Sequence, residues 1–75
     1  PGGRLDSPLQ DRLLDLIAGK AFQEFVTDAI RDPEIRRDRA VLLSVQNGSW
    51  IQDQVDSQVI LVDEEGKYVR NPEAY

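Results

Sequence analysis

The feature that most constrains the fold is a run of apolar residues at helical spacing between positions 7 and 31. Apolar side chains recur every three or four residues along it, as they do on one face of an α-helix. They are Leu9, Leu13, Leu14, Ile17, Ala18, Ala21, Phe22, Phe25, Val26, Ala29 and Ile30. No other part of the 75-residue chain has so long a periodic run. We therefore expect this segment to be the principal helix of one small domain.

Both ends of this helix are marked in the sequence. Ser7, Pro8 and Gln10 have the form of a capping box with proline at the first helical position. Pro33 ends the helix, because proline disfavours helical geometry in the residue before it. Gly19 weakens the middle by about 1 kcal/mol relative to alanine. We favour one long helix, curved or kinked at Gly19, over the alternative of two helices separated by a left-handed glycine.

The segment after the helix changes from helical to strand periodicity. A β-strand is predicted here, because Val41, Leu43 and Val45 alternate with Leu42, Ser44 and Gln46. Asn47 and Gly48 follow, and this pair is typical of a type I′ turn between two strands. The return strand of this hairpin would cover residues 49–54, with Trp50 on its valine-rich face.

Three further segments complete the expected fold. Asp32 can cap a short helical turn over residues 33–38. The apolar run at 59–62 predicts a strand, and residues 63–66 have Asp first and Gly last, as in a type I turn. Residues 67–70 would form the partner strand, with Tyr68 and Arg70 on one face and Val69 on the other.

These elements predict an α+β fold in which one long N-terminal helix and a short helical turn pack on a three- to four-stranded antiparallel meander sheet. We expect residues 1–6 to be a disordered linker remnant, residues 7–72 to form the domain and residues 73–75 to fray. The chain has no cysteine and no apolar run long enough to span a bilayer. A cytoplasmic location is the expectation that fits this composition best.

The residue inventory argues against catalysis. Histidine and cysteine, the commonest general base and the most reactive nucleophile, are both absent. Asp63, Glu64 and Glu65 could offer oxygen ligands to calcium, but they do not follow the spacing of a calcium-binding loop. We therefore expect no enzyme activity, no cofactor and no metal, and we interpret the acidic stretch as a solvated turn.

The charge distribution favours a protein partner. The formal net charge is −5, and residues 40–75 alone carry six acidic and two basic side chains. We expect a protein-binding or self-assembling domain (an adaptor, an inhibitor or an assembly subunit) whose partner has a basic or apolar surface, with a homo-oligomer as one form. Leu13, Leu16 and Ile17 are candidate contact residues because the apolar arc of the helix is wide, although packing of this arc on the domain's own core is the more common case. Trp50 is a further candidate, although a core position fits it better.

An arginine cluster supports an alternative function. The cluster consists of Arg31, Arg36, Arg37 and Arg39. Arg36 and Arg37 could bind an acidic partner or phosphate, which would make the chain a nucleic-acid-associated regulator. Interleaved acidic residues and the absence of flanking aromatic residues argue against nucleic acid as the partner.

Overall fold

The computed structural model describes residues 8–74, and within them the chain is mostly helical. Five α-helices precede a two-stranded antiparallel hairpin and a 3₁₀ turn at Pro72–Ala74. The helices are α1 (Pro8–Ile17), α2 (Phe22–Arg31), α3 (Pro33–Arg37), α4 (Arg39–Gln46) and α5 (Ser49–Asp56), and the strands are β1 (Ile60–Val62) and β2 (Tyr68–Arg70). The prediction of one long helix on a three- to four-stranded sheet is therefore wrong. Among residues 8–74, no helix has the length and apolar character needed to cross a membrane.

Three of the predictions concern the two ends of the chain. The linker at 1–6 and the Ser7 cap lie outside the described residues, and so does Tyr75. Pro8 is the first residue of α1. Glu73 and Ala74, which were expected to fray, belong to the 3₁₀ turn.

Gly19 divides the predicted long helix into α1 and α2. Its φ of 77° lies in the left-handed region, which glycine adopts without the steric penalty of a Cβ. The Gly19 N–H donates to the Tyr68 carbonyl at 2.7 Å, and the Tyr68 N–H donates to the Lys20 carbonyl at 2.8 Å. The chain at 19–20 thus pairs with β2 instead of continuing the helix, so the two-helix alternative is the correct one.

The segment predicted as a β-hairpin at residues 41–54 forms the helical pair α4–α5 instead. The Asp38 side chain caps α4 by accepting the Val41 N–H at 3.2 Å. Asn47 has φ −87° and only Gly48 has a positive φ, of 84°. A type I′ turn needs positive φ at both positions, so this pair joins two helices rather than two strands.

Two local predictions are confirmed. Asp32 begins α3, since its Oδ1 accepts the N–H of Glu34 at 2.9 Å and that of Ile35 at 3.4 Å. The C-terminal strand pair forms in antiparallel register, with Leu61 opposite Val69. Both features are specified by residues close together in the chain.

The elements enclose one core and close into a ring. The buried apolar residues are Leu13, Leu14, Ile17, Phe25, Ala29, Ile35, Val45, Trp50, Ile51, Val59 and Ile60. Along the ring, α1 packs on α2, α2 on α3 and α4, α4 on α5, α5 on β1, and β2 back on α1. The hairpin therefore connects α5 to α1, whereas α3 packs between α2 and α4.

Candidate functional site

The C-terminal hairpin presents apolar side chains to solvent. Leu61 and Val69 are opposite each other in the register, so their side chains lie on the same face. They are 43% and 37% exposed. Ile60 is fully buried and Tyr68 packs against the core, because side chains alternate between the two faces of a strand. We call Leu61 and Val69 the hairpin face.

One sequence pattern predicted part of this surface. The alternation at 68–70 predicts Val69 on the opposite side from Tyr68, and the exposure pattern agrees. A continuous apolar run such as that at 59–62 is typical of a strand that is covered on both faces or lies centrally in a sheet. In a two-stranded hairpin packed on helices, only one face is covered, which leaves Leu61 in solvent.

The turn beside the hairpin face carries three carboxylates. Asp63 Oδ1 accepts the N–H of Glu65 and of Lys67, both at 2.9 Å, and Gly66 supplies the left-handed φ of 79° that the turn requires. Glu64 and Glu65 are exposed at the tip, and Glu65 lies 3.8 Å from the Lys67 ammonium. Three carboxylates and one ammonium group give the turn a net charge of −2. We call Asp63, Glu64 and Glu65 the acidic turn.

The edge of the hairpin formed by β2 is occupied in part. On the β2 side, the backbone of Gly19 and Lys20 bonds to Tyr68. On the β1 side, α5 packs against the strand, and Ile60 is fully buried. Val62, the last residue of β1, is 51% exposed. With only three residues in each strand, the hairpin offers no long edge to which a partner could add a strand, and its accessible apolar feature is the hairpin face.

Polar contacts join the hairpin to α1 and hold its two ends together. The Arg70 Nη1 donates to Asp15 Oδ1 of α1 at 2.9 Å. The Asn71 side chain donates to the Gln58 carbonyl at 2.7 Å, and the Asn71 N–H donates to the Val59 carbonyl at 2.9 Å. A surface fixed in this way loses little conformational freedom when a partner binds.

The predicted arginine cluster is exposed, and one of its members is paired. Arg37 Nη1 lies 3.9 Å from Glu34 Oε1. Arg36 and Arg39 are exposed and form no ion pair within residues 8–74. Leu43 is one helical turn after Arg39 on α4 and is 60% exposed, so the two side chains share a solvent-facing side. We call Arg36, Arg39 and Leu43 the basic surface.

The predicted contact residues of the first helix lie against the core. Leu13 and Ile17 are 1% and 0% exposed, and Leu16 is partly buried. The break at Gly19 lets α2 fold back on α1, and β2 packs on α1 as well. In the folded chain, Leu13 and Ile17 therefore offer no surface to a partner.

Trp50 is also a core residue. It is 8% exposed, and its ring centroid lies 5.6 Å from that of Phe25. The indole Nε1–H donates to Gln10 Oε1 at 2.8 Å, which satisfies its one polar group. Trp50 belongs to the first turn of α5 and not to the tip of a hairpin.

The Asp32 carboxylate is bonded by an arginine and by two backbone N–H groups. Its side chain is 11% exposed, and Arg12 Nε donates to its Oδ2 at 2.6 Å. Burial opposes ionisation, but the hydrogen bonds from Arg12, Glu34 and Ile35 outweigh it, so the pKa of Asp32 lies below its ordinary value. A carboxylate held ionised by such contacts is a poor proton acceptor, which indicates a structural role.

Residues 8–74 contain no group of three or more side chains positioned to ligate one metal ion. An open groove of about 340 Å³ runs beside α2. It is lined by Lys20, Gln23, Glu24, Thr27 and Asp28. Lys20 Nζ is bound at 2.8 Å by both Asp28 Oδ2 and the Leu16 carbonyl, so its charge is already neutralised.

The candidate site thus consists of three exposed surfaces: the hairpin face, the acidic turn and the basic surface. Comparisons of the chain with protein-family models, with curated proteins and with solved structures found no match.

Proposed function

We propose that this chain is a non-catalytic protein-binding domain, acting as an adaptor, an inhibitor or an assembly subunit, and that its partner contacts the hairpin face. The observation that supports this most strongly is the exposed cross-strand pair of Leu61 and Val69 on a hairpin held against the helices. Covering apolar surface contributes roughly 25 cal/mol per Å², and the hairpin is already ordered.

The acidic turn defines the chemistry of the partner. Glu64 and Glu65 are exposed next to the hairpin face, and the whole chain has a net charge of −5. Charges at the rim of an interface increase the association rate and select partners of opposite sign. The partner is therefore an apolar protein surface flanked by lysine or arginine.

The residue inventory supports binding rather than catalysis. The chain has neither histidine nor cysteine. The acidic turn is solvated, and Asp32 is engaged in a helix cap and an ion pair. Efficient acid–base catalysis needs a group whose pKa lies near the working pH, and the pKa of Asp32 is shifted away from it.

Titration of the isotope-labelled chain with two amphipathic peptides, followed by NMR, tests the proposal. A lysine–leucine peptide should shift the amide signals of residues 60–70, whereas a glutamate–leucine peptide of the same length should not, because the acidic turn repels it. The double variant Leu61→Ser with Val69→Ser should bind the first peptide at least about tenfold more weakly, which corresponds to ~1.4 kcal/mol.

Ile30→Ser is the matched control, since Ile30 is 38% exposed on α2 and belongs to none of the three surfaces. This variant loses a similarly exposed aliphatic side chain and should bind the lysine–leucine peptide as the wild type does. Unchanged peptide binding by the double hairpin variant, or signal shifts confined to other surfaces, would contradict the proposed contact site.

A further inference from the structure

We propose that the partner of the hairpin face is a second copy of this chain, which docks its basic surface there in a head-to-tail contact. This inference rests on the proposed function and names the partner for it. One copy would contribute Leu61, Val69 and the acidic turn, and the other would contribute Arg36, Arg39 and Leu43.

The two surfaces are complementary in composition. Each combines an exposed aliphatic side chain with nearby charge, and the charges are of opposite sign. Leu61 is 43% exposed beside the acidic turn, and Leu43 is 60% exposed one turn from Arg39. Docking would cover both leucines and place carboxylates near guanidinium groups that lack an ion pair within residues 8–74.

The packing of the elements keeps these surfaces apart within one copy. The hairpin packs on α1 and α5, whereas α4 packs on α2, α3 and α5. The exposure of Leu43 and Leu61 shows that neither covers the other. A contact between the two surfaces therefore joins different copies. Because the two sides of this contact differ, each added copy leaves one surface of each kind unoccupied, and the assembly extends until it closes into a ring.

The net charge of −5 sets the conditions for observing this contact. Two copies repel each other over long distances, while opposite charges at the interface attract at short range. At about 0.15 M salt the Debye length is roughly 8 Å, so long-range repulsion is largely screened and close charge pairs keep part of their attraction.

Sedimentation equilibrium of the full chain under these conditions, over a wide range of concentrations, tests the inference. The wild type should show an average mass that rises with concentration. Charge reversal of either surface, by Arg36→Glu with Arg39→Glu or by Glu64→Lys with Glu65→Lys, should weaken association at least about tenfold. An equimolar mixture of the two reversed variants should regain association, because each surface of one variant then meets a surface of opposite charge on the other.

Two controls separate this contact from a general effect of charge. Asp11→Lys with Asp53→Lys changes the formal net charge from −5 to −1, as the double glutamate reversal does, and should leave wild-type association unchanged. Adding Leu61→Ser to the Arg36→Glu/Arg39→Glu variant alters no charge and should weaken association of the mixture. Circular dichroism verifies that each variant is folded, and glutamine in place of the reversed charge serves for any variant that is not.

A wild type that stays monomeric at every concentration would overturn the inference, and so would self-association that neither charge reversal weakens. A monomeric wild type that still binds the lysine–leucine peptide at residues 60–70 would leave the protein-binding function in place with a different partner. Loss of peptide binding would overturn the proposed function itself.

Discussion

At the scale of single residues, Asp32 connects three helices through one carboxylate. It follows α2, caps α3 through the N–H of Glu34 and Ile35, and bonds to Arg12 of α1. The pKa of Asp32 is lower in the folded chain than its ordinary value of 3.8. Its contribution to stability is therefore fully present above pH 3.8 and is lost as the pH falls through the folded-state pKa.

We expect Asp32→Asn to lower the free energy of unfolding at neutral pH. Asparagine retains an oxygen that can cap α3, but it lacks the charge that faces Arg12. The difference from the wild type should shrink as the pH falls below 3.8, because the wild-type carboxylate is then protonated as well. Urea titrations followed by the fluorescence of Trp50, the single tryptophan, measure both free energies.

Asp15→Asn is the matched control for this experiment. Asp15 pairs with Arg70 at 2.9 Å, but its side chain is 75% exposed, so solvent screens the pair. Asp15→Asn should lower the free energy of unfolding at neutral pH by less than Asp32→Asn does. If the difference between Asp32→Asn and the wild type stayed constant from neutral pH to well below 3.8, the ionic role of Asp32 would be rejected.

At the scale of the elements, Gly19 ends α1 and lets α2 reverse direction. A Cβ at this position would meet no atom within 4 Å, so the cost of a side chain is conformational and not steric crowding. We expect Gly19→Ala to lower the free energy of unfolding by about 1–2 kcal/mol, because φ is 77°. Gly19→Asn should cost less, since asparagine tolerates the left-handed region better. Urea titrations measure these losses.

Gly66→Ala provides a comparison within the hairpin. Gly66 also has a positive φ, of 79°, and open space around it, so a similar loss is expected without any change at the helix break. A Gly19→Ala variant as stable as the wild type would indicate that the left-handed conformation at residue 19 is not required.

Local signals predicted some elements correctly and others not. Asp32 before Pro33 and Asp63 before Gly66 specify a cap and a turn through their own hydrogen bonds, so both were predictable. The helix at residues 41–45 was not predictable, because apolar residues over so short a run fit both strand and helical spacing. The helix is decided by the Asp38 cap and by packing of Val45 in the core, which depends on distant residues.

The candidate site was predictable only in part. The exposure of Arg36 and Arg37 followed from their surroundings in the sequence, and Val69 was placed on the face opposite Tyr68. The burial of Leu13 and Ile17 could not be foreseen, because it depends on α2 folding back and on β2 covering α1. The sequence alone also did not indicate that the sheet would have only two strands, which is why Leu61 was missed.

At the scale of the whole molecule, charge decides between a protein and a nucleic acid as partner. Arg31, Arg36 and Arg39 are exposed, but the net charge is −5. We expect no binding of duplex DNA or RNA with a dissociation constant below about 0.1 mM at physiological salt, because phosphate is repelled over most of the surface. Fluorescence anisotropy of labelled oligonucleotides measures this affinity.

Tighter binding that is weakened by Arg36→Ala with Arg37→Ala would instead support the nucleic-acid-associated regulator. The neutral variant Leu43→Ser serves as a control, since it changes the neighbouring surface without altering charge. Oligonucleotide binding that neither variant affects would rule out the arginine cluster as its site.

The backbone bridge between Lys20 and Tyr68 has a consequence for how the chain folds. It joins residues 20 and 68, whereas the five helices form from contacts between near neighbours in sequence. Such local contacts form quickly, and contacts of long sequence separation form later. During synthesis the helical part can therefore assemble first. The bridge between Lys20 and Tyr68 forms only after residue 68 has left the ribosome. In hydrogen exchange, the amides of Gly19 and Tyr68 should open together, because both report on this one closure.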